Sequence, residues 1–181
     1  MTQGIITISS ITAANTGIFE PTVYTFIIKH MVTLNPTDKL TITFPSDFFV
    51  KQTVACNAGS FNSVNLTCKS NGLKSIVLQN MVATAFPSVQ FSFTLDSIRN
   101  PSVMGAIVGS IDITTTKDDN TPIDSGSYIM PTNYFTVGNI PSFDVINLQG
   151  GISTSPADYT FTIIPKGSIA PNSSIKIVLP L

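Results

Sequence analysis

Residues 24–45 read YTFIIKHMVTLNPTDKLTITFP, and residues 159–180 read YTFTIIPKGSIAPNSSIKIVLP. Aligned without a gap at an offset of 135 residues, they share Tyr24/Tyr159, Thr25/Thr160, Phe26/Phe161, Ile28/Ile163, Pro36/Pro171, Ile42/Ile177 and Pro45/Pro180. Tyr24, Phe26 and Ile28 alternate with Thr25 and Ile27, and Leu40, Ile42 and Phe44 alternate with Thr41 and Thr43. A period of two with one apolar side is the pattern of a half-buried β-strand. At the same offset Ile5, Ile8 and Ile11 meet Ile140, Phe143 and Ile146, while Leu34/Ile169, Leu40/Ile175 and Phe44/Leu179 stay apolar in both copies. The retained letters fall on the face expected to be buried and on turn prolines, as a duplicated unit requires. One complete unit is therefore expected over residues 1–138, and the opening strands of a second over 139–181.

The same signal recurs along the first unit. SIVLQNMV (75–82), VQFSFTLDSI (89–98, with Phe91, Phe93 and Leu95 in step) and AIVGSIDITTT (106–116, with Ile107, Ile111 and Ile113 in step) read as strands. Pro, Gly, Asn and Asp gather between them in LNPTDK, FPSD, SNGLK, IRNPS, KDDNTPIDSG and VGNIPS, which read as turns. No window carries helical spacing free of proline or β-branched runs. Short strands at this spacing predict an all-β chain folded as an immunoglobulin-like antiparallel β-sandwich, with a barrel as the alternative.

Composition narrows the function classes. Of 181 residues 43% are hydrophobic and 10% charged, and the net charge is −1. Hydration falls to 20 Ser, 23 Thr and 13 Asn. Nine scattered basic residues cannot neutralise a run of phosphates, so nucleic acid is not an expected partner. No apolar run approaches the roughly 18 residues of a membrane span. MTQGIITISS lacks the basic start and long apolar centre of a signal peptide. A secreted protein with this sequence is thus expected to be a processed chain or an excerpt.

Cys56 and Cys68 lie twelve apart in VACNAGSFNSVNLTCKS. With one histidine in the chain a metal site lacks ligands, so a disulfide is the expectation and two reduced, separately buried thiols the alternative. A bridge implies an oxidising, extracellular compartment.

The run YTFxI, a turn with proline, LTITFPSDF, the short cysteine pair and FSFTLDSIRNPS together resemble the repeated Ig-like domains of large secreted or cell-surface proteins of ciliates and other protists. The resemblance covers most of residues 20–138 and the start of the second unit. It implies a surface coat, appendage or extracellular filament and transfers no catalytic residue. Bacterial adhesins and pilus subunits have similar strand composition.

Candidate sites follow. Asn65-Leu-Thr67 and Asn172-Ser-Ser174 fit the glycan acceptor pattern, and both are expected to be exposed. Asp118, Asp119, Asn120 and Asp124 share the KDDNTPIDSG stretch, an oxygen-rich weak candidate for Ca²⁺ that lacks the Gly and Glu offsets of an EF-hand. A plain polar hairpin turn is the simpler expectation there. His30 has no nucleophile or orienting carboxylate in a recognisable motif and reads as a strand-end surface residue. Phe19, Phe48, Phe49 and Phe61 fall outside the alternation, as core-filling loop residues or interface anchors.

A sandwich interrupted after three strands leaves an apolar layer bare: Ile140, Phe143, Tyr159, Phe161, Ile163, Ile175, Ile177 and Leu179. The chain is expected to be a non-enzymatic structural protein, without cofactor, that polymerises head to tail or strings its units together and carries covalent glycans. The alternative is an adhesin or carbohydrate-binding stalk module.

Overall fold

The computed structural model describes residues 3–61, 63, 65–72, 74–102, 109–137, 142–147, 159–165, 169 and 171–178. The strands in chain order are β1 (Gly4–Ile5), β2 (Thr7–Ala13), β3 (Pro21–Lys29), β4 (Lys39–Thr43), β5 (Phe49–Val50), β6 (Cys56–Asn57) and β7 (Thr67–Ser70). They continue with β8 (Ser75–Gln79), β9 (Gln90–Arg99), β10 (Ile111–Thr116), β11 (Pro122–Tyr128), β12 (Ser142–Asn147) and β13 (Tyr159–Ile164). No helix occurs among the described residues.

Two sheets pack face to face over residues 4–128. One runs β1-β11-β10-β4-β8-β7 and the other β2-β3-β9-β5, with β6 also on β9. Their inner faces meet in one core: Tyr24, Phe26, Ile28, Phe91, Phe93 and Leu95 from the second sheet, and Leu40, Ile42, Ile76, Leu78, Ile111 and Ile113 from the first, all buried. This is an immunoglobulin-like β-sandwich, and the apolar alternation of β3, β4 and β9 is its inner layer. The Thr and Ser residues between them point outward, where hydroxyls hydrate the sheet faces. The ladders are antiparallel except β1 on β11, which is parallel, as is the isolated Gly17–Thr136 bridge.

Both sides of the sandwich are stitched. On one, the chain leaves β1, passes through the buried Ile6 and enters β2 in the opposite sheet. Close approach there needs glycine, since a Cβ on Gly126 would lie 2.3 Å from the Ile6 carbonyl oxygen and one on Gly4 would lie against the Asp124 carboxylate. On the other side the Cys56–Cys68 disulfide joins β6 to β7, with Cα atoms 6.1 Å apart. The expected bridge is formed, and it links the two sheets.

Bulges correct the register where simple alternation would fail. In β9 Leu95 and Ile98 are both buried although three apart, because an extra residue opposite Thr22–Tyr24, with Ser97 at φ 67°, resets the pleat. A second bulge interrupts the β2–β3 ladder between Ile8 and Ser10.

The pole where β3 begins is fastened by a polar network. The buried Tyr24 hydroxyl donates to Asn100 Oδ1, whose amide nitrogen donates to the carbonyls of Asn15 (2.8 Å) and Gly17 (2.7 Å). Burial, with Tyr134 nearby, pushes the Tyr24 phenol well above its ordinary range, so it stays a neutral donor. Ala13 N donates to the Tyr134 hydroxyl (2.6 Å), which ties residues 130–136 to the end of β2. Buried polar groups with partners in this way fix one loop arrangement instead of destabilising the core.

Candidate assembly surface

β12 and β13 form a separate two-stranded antiparallel sheet. At the offset of 135 residues they fall on β2 and β3. Thr7 pairs Lys29 and Ile8 pairs Ile28 in the first hairpin; Ser142 pairs Ile164 and Phe143 pairs Ile163 in the second. Beyond that point they part. The first hairpin has its bulge and sets Ile11 opposite Phe26, whereas the second continues without one and sets Val145 opposite Phe161. The ungapped correspondence of Ile11 with Ile146 therefore fails by one residue, and Ile146 pairs Thr160 instead. A one-residue slip moves a strand's side chains to the other face.

The hairpin is two-sided. Val145, Tyr159, Phe161 and Ile163 share one face by register, and Asp144, Thr160 and Thr162 lie on the other with Ile146 and Ile164. Tyr24 is fully buried, but Tyr159 is 52% exposed; Leu40 and Ile42 are fully buried, but Ile175 and Ile177 are 53% and 42% exposed. β4 lies between β8 and β10, whereas residues 174–178, its counterpart at the offset of 135, are extended without pairing in a strand among the described residues. Alternation alone does not hold an extended segment as a strand without a neighbour to pair with. Phe143 is described only through its backbone pairing, and Ile140 and Leu179 lie outside the described residues.

Asn65 is exposed just before β7, and Asn172 is exposed at the turn Pro171–Asn172 with φ 64°. Both acceptor positions are accessible. Of the four phenylalanines outside the alternation, Phe48 and Phe61 are buried, Phe49 is exposed and Phe19 lies under the Arg99 guanidinium, 4.4 Å from ring centroid to Cζ.

Two expectations are corrected. KDDNTPIDSG is not one loop: β11 already begins at Pro122, and only residues 117–121 turn. Asp118, Asp119 and Asn120 stand exposed there, while a bulge opposite Thr115–Thr116 turns both Ile123 and Asp124 inward. Asp124 is buried, so the four oxygens proposed for Ca²⁺ are not brought together, and no group of three His, Cys, Asp or Glu side chains suited to a metal occurs among the described residues. Asp119 is held below the usual carboxylate range by hydrogen bonds from the Thr121 side chain and backbone. Asn35, Thr37, Asp38, Lys117, Asp118 and Asp119 line an open polar cleft at this end, with Lys39 paired to Asp118 at 3.1 Å.

His30 is the second correction. It is buried, with its ring 5.7 Å from Phe86 and 5.5 Å from Phe91 and its Nδ1 2.6 Å from the Val32 carbonyl oxygen. The strand-end position was legible. The aromatic pocket was not, because Phe86 and Phe91 lie more than fifty residues away in sequence.

No family model and no curated protein matches the chain. Solved structures similar to it include BslA, a bacterial hydrophobin, at 14% identity over 72% of this chain and 99% of that one, with a TM-score of 0.38. A non-cellulosomal cohesin from the hyperthermophilic archaeon Archaeoglobus fulgidus matches at 10% identity over 72% of this chain and 93% of its own, TM-score 0.38. A protein from Nocardia farcinica with an immunoglobulin-like fold matches at 14% identity over 84% and 95%, TM-score 0.35. Strand order and the shared core between the two sheets define the fold.

Proposed function

We propose that this protein is a non-enzymatic structural component of an extracellular filament or surface coat, assembled head to tail by completion of its second β-unit. The reading rests on one observation. Positions buried in the first unit, at Tyr24, Leu40 and Ile42, have counterparts at Tyr159, Ile175 and Ile177 that are exposed. Bare apolar sheet with open edges is a template for another polypeptide. A neighbouring subunit is the occupant in this reading, and covering each such side chain contributes about 1.5 to 3 kcal/mol.

Other features support it. The disulfide fits an oxidising compartment. Glycans on Asn65 and Asn172 would add hydration to a surface with few charges. Enclosure of the sole histidine by Phe86 and Phe91 removes the chain's usual general base from solvent. The repeated units of large surface proteins, which the sequence resembles, imply the same role.

The test is self-association of the 181-residue chain, followed by sedimentation and electron microscopy. Phe161→Asp and Ile177→Asp are each expected to abolish regular fibres and leave the melting of the first unit unchanged. Normal fibres from either variant would sink strand completion. Monomers of the parent chain that bind a glycan array would favour the adhesin reading.

A further inference from the structure

We propose that Asn71, at the tip of the β7–β8 hairpin, is a self-modifying site: the Gly72 nitrogen attacks its side chain, and the asparagine becomes aspartate and isoaspartate while the chain stays folded. This chemistry is independent of assembly. Asn71-Gly72 is the one asparagine–glycine step among the 13 asparagines of the chain.

The attack needs a reachable amide, a main-chain N–H engaged in no hydrogen bond, and room for a ring to close. Asn71 and Gly72 are both exposed. Asn71 N donates to the Ser75 carbonyl oxygen (2.7 Å), and Ser70 Oγ donates to the Gly72 carbonyl oxygen (2.6 Å). These bonds fix the peptides on either side of the one that reacts. Gly72 N and the Asn71 side chain themselves make no hydrogen bond among the described residues. Gly72 has φ 91°, and a Cβ built on it would meet no atom within 4 Å, so nothing crowds the attacking nitrogen.

The other asparagines lack one of these conditions. Asn35 and Asn100 precede proline, which has no N–H. Asn15 Oδ1 accepts from Gly17 N (2.9 Å) and Asn57 Oδ1 from Gly59 N (3.0 Å), so both side chains are held in their own turns. Asn65, Asn80, Asn120 and Asn133 are followed by Leu66, Met81, Thr121 and Tyr134, whose side chains hinder approach. Asn62 and Asn172 precede serine and should react more slowly than Asn71.

Water is the only co-reactant. The Gly72 nitrogen loses its proton and bonds to Asn71 Cγ, the Cγ–Nδ2 bond breaks, and ammonia leaves with that proton, closing a succinimide. Water then opens the ring: addition at Cγ gives aspartate, and addition at the Asn71 main-chain carbonyl carbon gives isoaspartate, whose backbone runs through Cγ. Lys69 and Lys74, both exposed, flank the turn, and their field favours the anionic nitrogen that attacks and the carboxylate that results. The product adds a negative charge to a chain of net charge −1. Isoaspartate also lengthens by one main-chain atom the link between β8 and β7, the edge of its sheet. In a long-lived chain this hairpin records age.

Peptide mapping of the full chain tests this. The folded protein, its disulfide intact, is held in mildly alkaline buffer below its melting temperature, and trypsin then releases residues 70–74, SNGLK, as one peptide. That peptide is expected to gain the mass of an amide-to-acid exchange, faster at higher pH because hydroxide removes the Gly72 proton, and to accept methyl groups from an isoaspartate methyltransferase. Asn71→Gln, whose longer side chain closes a larger ring slowly, should lose both signals with melting unchanged. SNGLK that stays amidated in the folded chain and reacts only after reduction and unfolding in urea would overturn the site, because the turn would then protect it. Conversion of Asn172 as fast as Asn71, or undiminished methylation of Asn71→Gln, would overturn it as well.

Discussion

Phe93→Ala is expected to lower the stability of the first unit by about 3–5 kcal/mol, a large share of the roughly 5–15 kcal/mol that holds a typical domain. Phe93 is fully buried at the middle of β9, and its ring lies parallel to Phe26 at 4.9 Å between centroids. Phe61 and Phe91 flank it at 5.8 and 6.1 Å. Those neighbours cannot close the gap left by the ring. Phe26 and Phe91 are pinned by the β3–β9 ladder, and Phe61 is seated against Phe91 at 4.1 Å. The cavity therefore persists, and its cost adds to the lost transfer energy. Urea denaturation should show a lower midpoint with an unchanged slope. Phe49→Ala, at an exposed position, is the control and should stay within about 0.5 kcal/mol of the parent. A cost under about 1 kcal/mol for Phe93→Ala would mean that the core repacks, contrary to the anchoring described here.

Replacing Cys56 and Cys68 together by alanine, or reducing the bridge, should cost about 3 kcal/mol in the chain-entropy account of a short loop, or about 6–12 °C in melting temperature. The bridge spans twelve residues and ties β6 in one sheet to β7, the edge strand of the other. Its loss frees an edge as well as a loop. The loop has its own anchor in the buried Phe61, so the reduced unit should still fold. Melting with and without reductant measures the difference; coincident curves would show that Phe61 alone sets the loop.

Local patterning carried most of the fold. β3, β4 and the first half of β9 were legible because a sandwich strand needs one apolar face and a period of two, and Tyr24 to Ile28 or Phe91 to Leu95 supply both. Non-local pairing hid the rest. Nothing in the letters around Ser97 announces a bulge, and Ile98 looks out of step until the ladder with β3 is known. Asp124 follows a run of turn formers and reads as loop. It is buried because its acceptors serve Met31 and Val32, more than ninety residues away. Of the layer expected from the repeat, Tyr159 is exposed while Phe161 and Ile163 are partly buried.

The parallel ladder of β1 on β11 bears on how such a unit would behave in a stretched fibre. Gly4 pairs Asp124, Ile5 pairs Ser125, and Ile6 N donates to the Ser125 carbonyl at 2.7 Å. The chain enters along β1, and beyond β11 residues 130–136 are tied to the end of β2 and to Gly17 at the far pole, so tension drawn between the two poles slides β1 lengthwise along β11. Their bonds then share the load at once instead of opening singly, and a patch only a few residues long becomes the unit's mechanical latch.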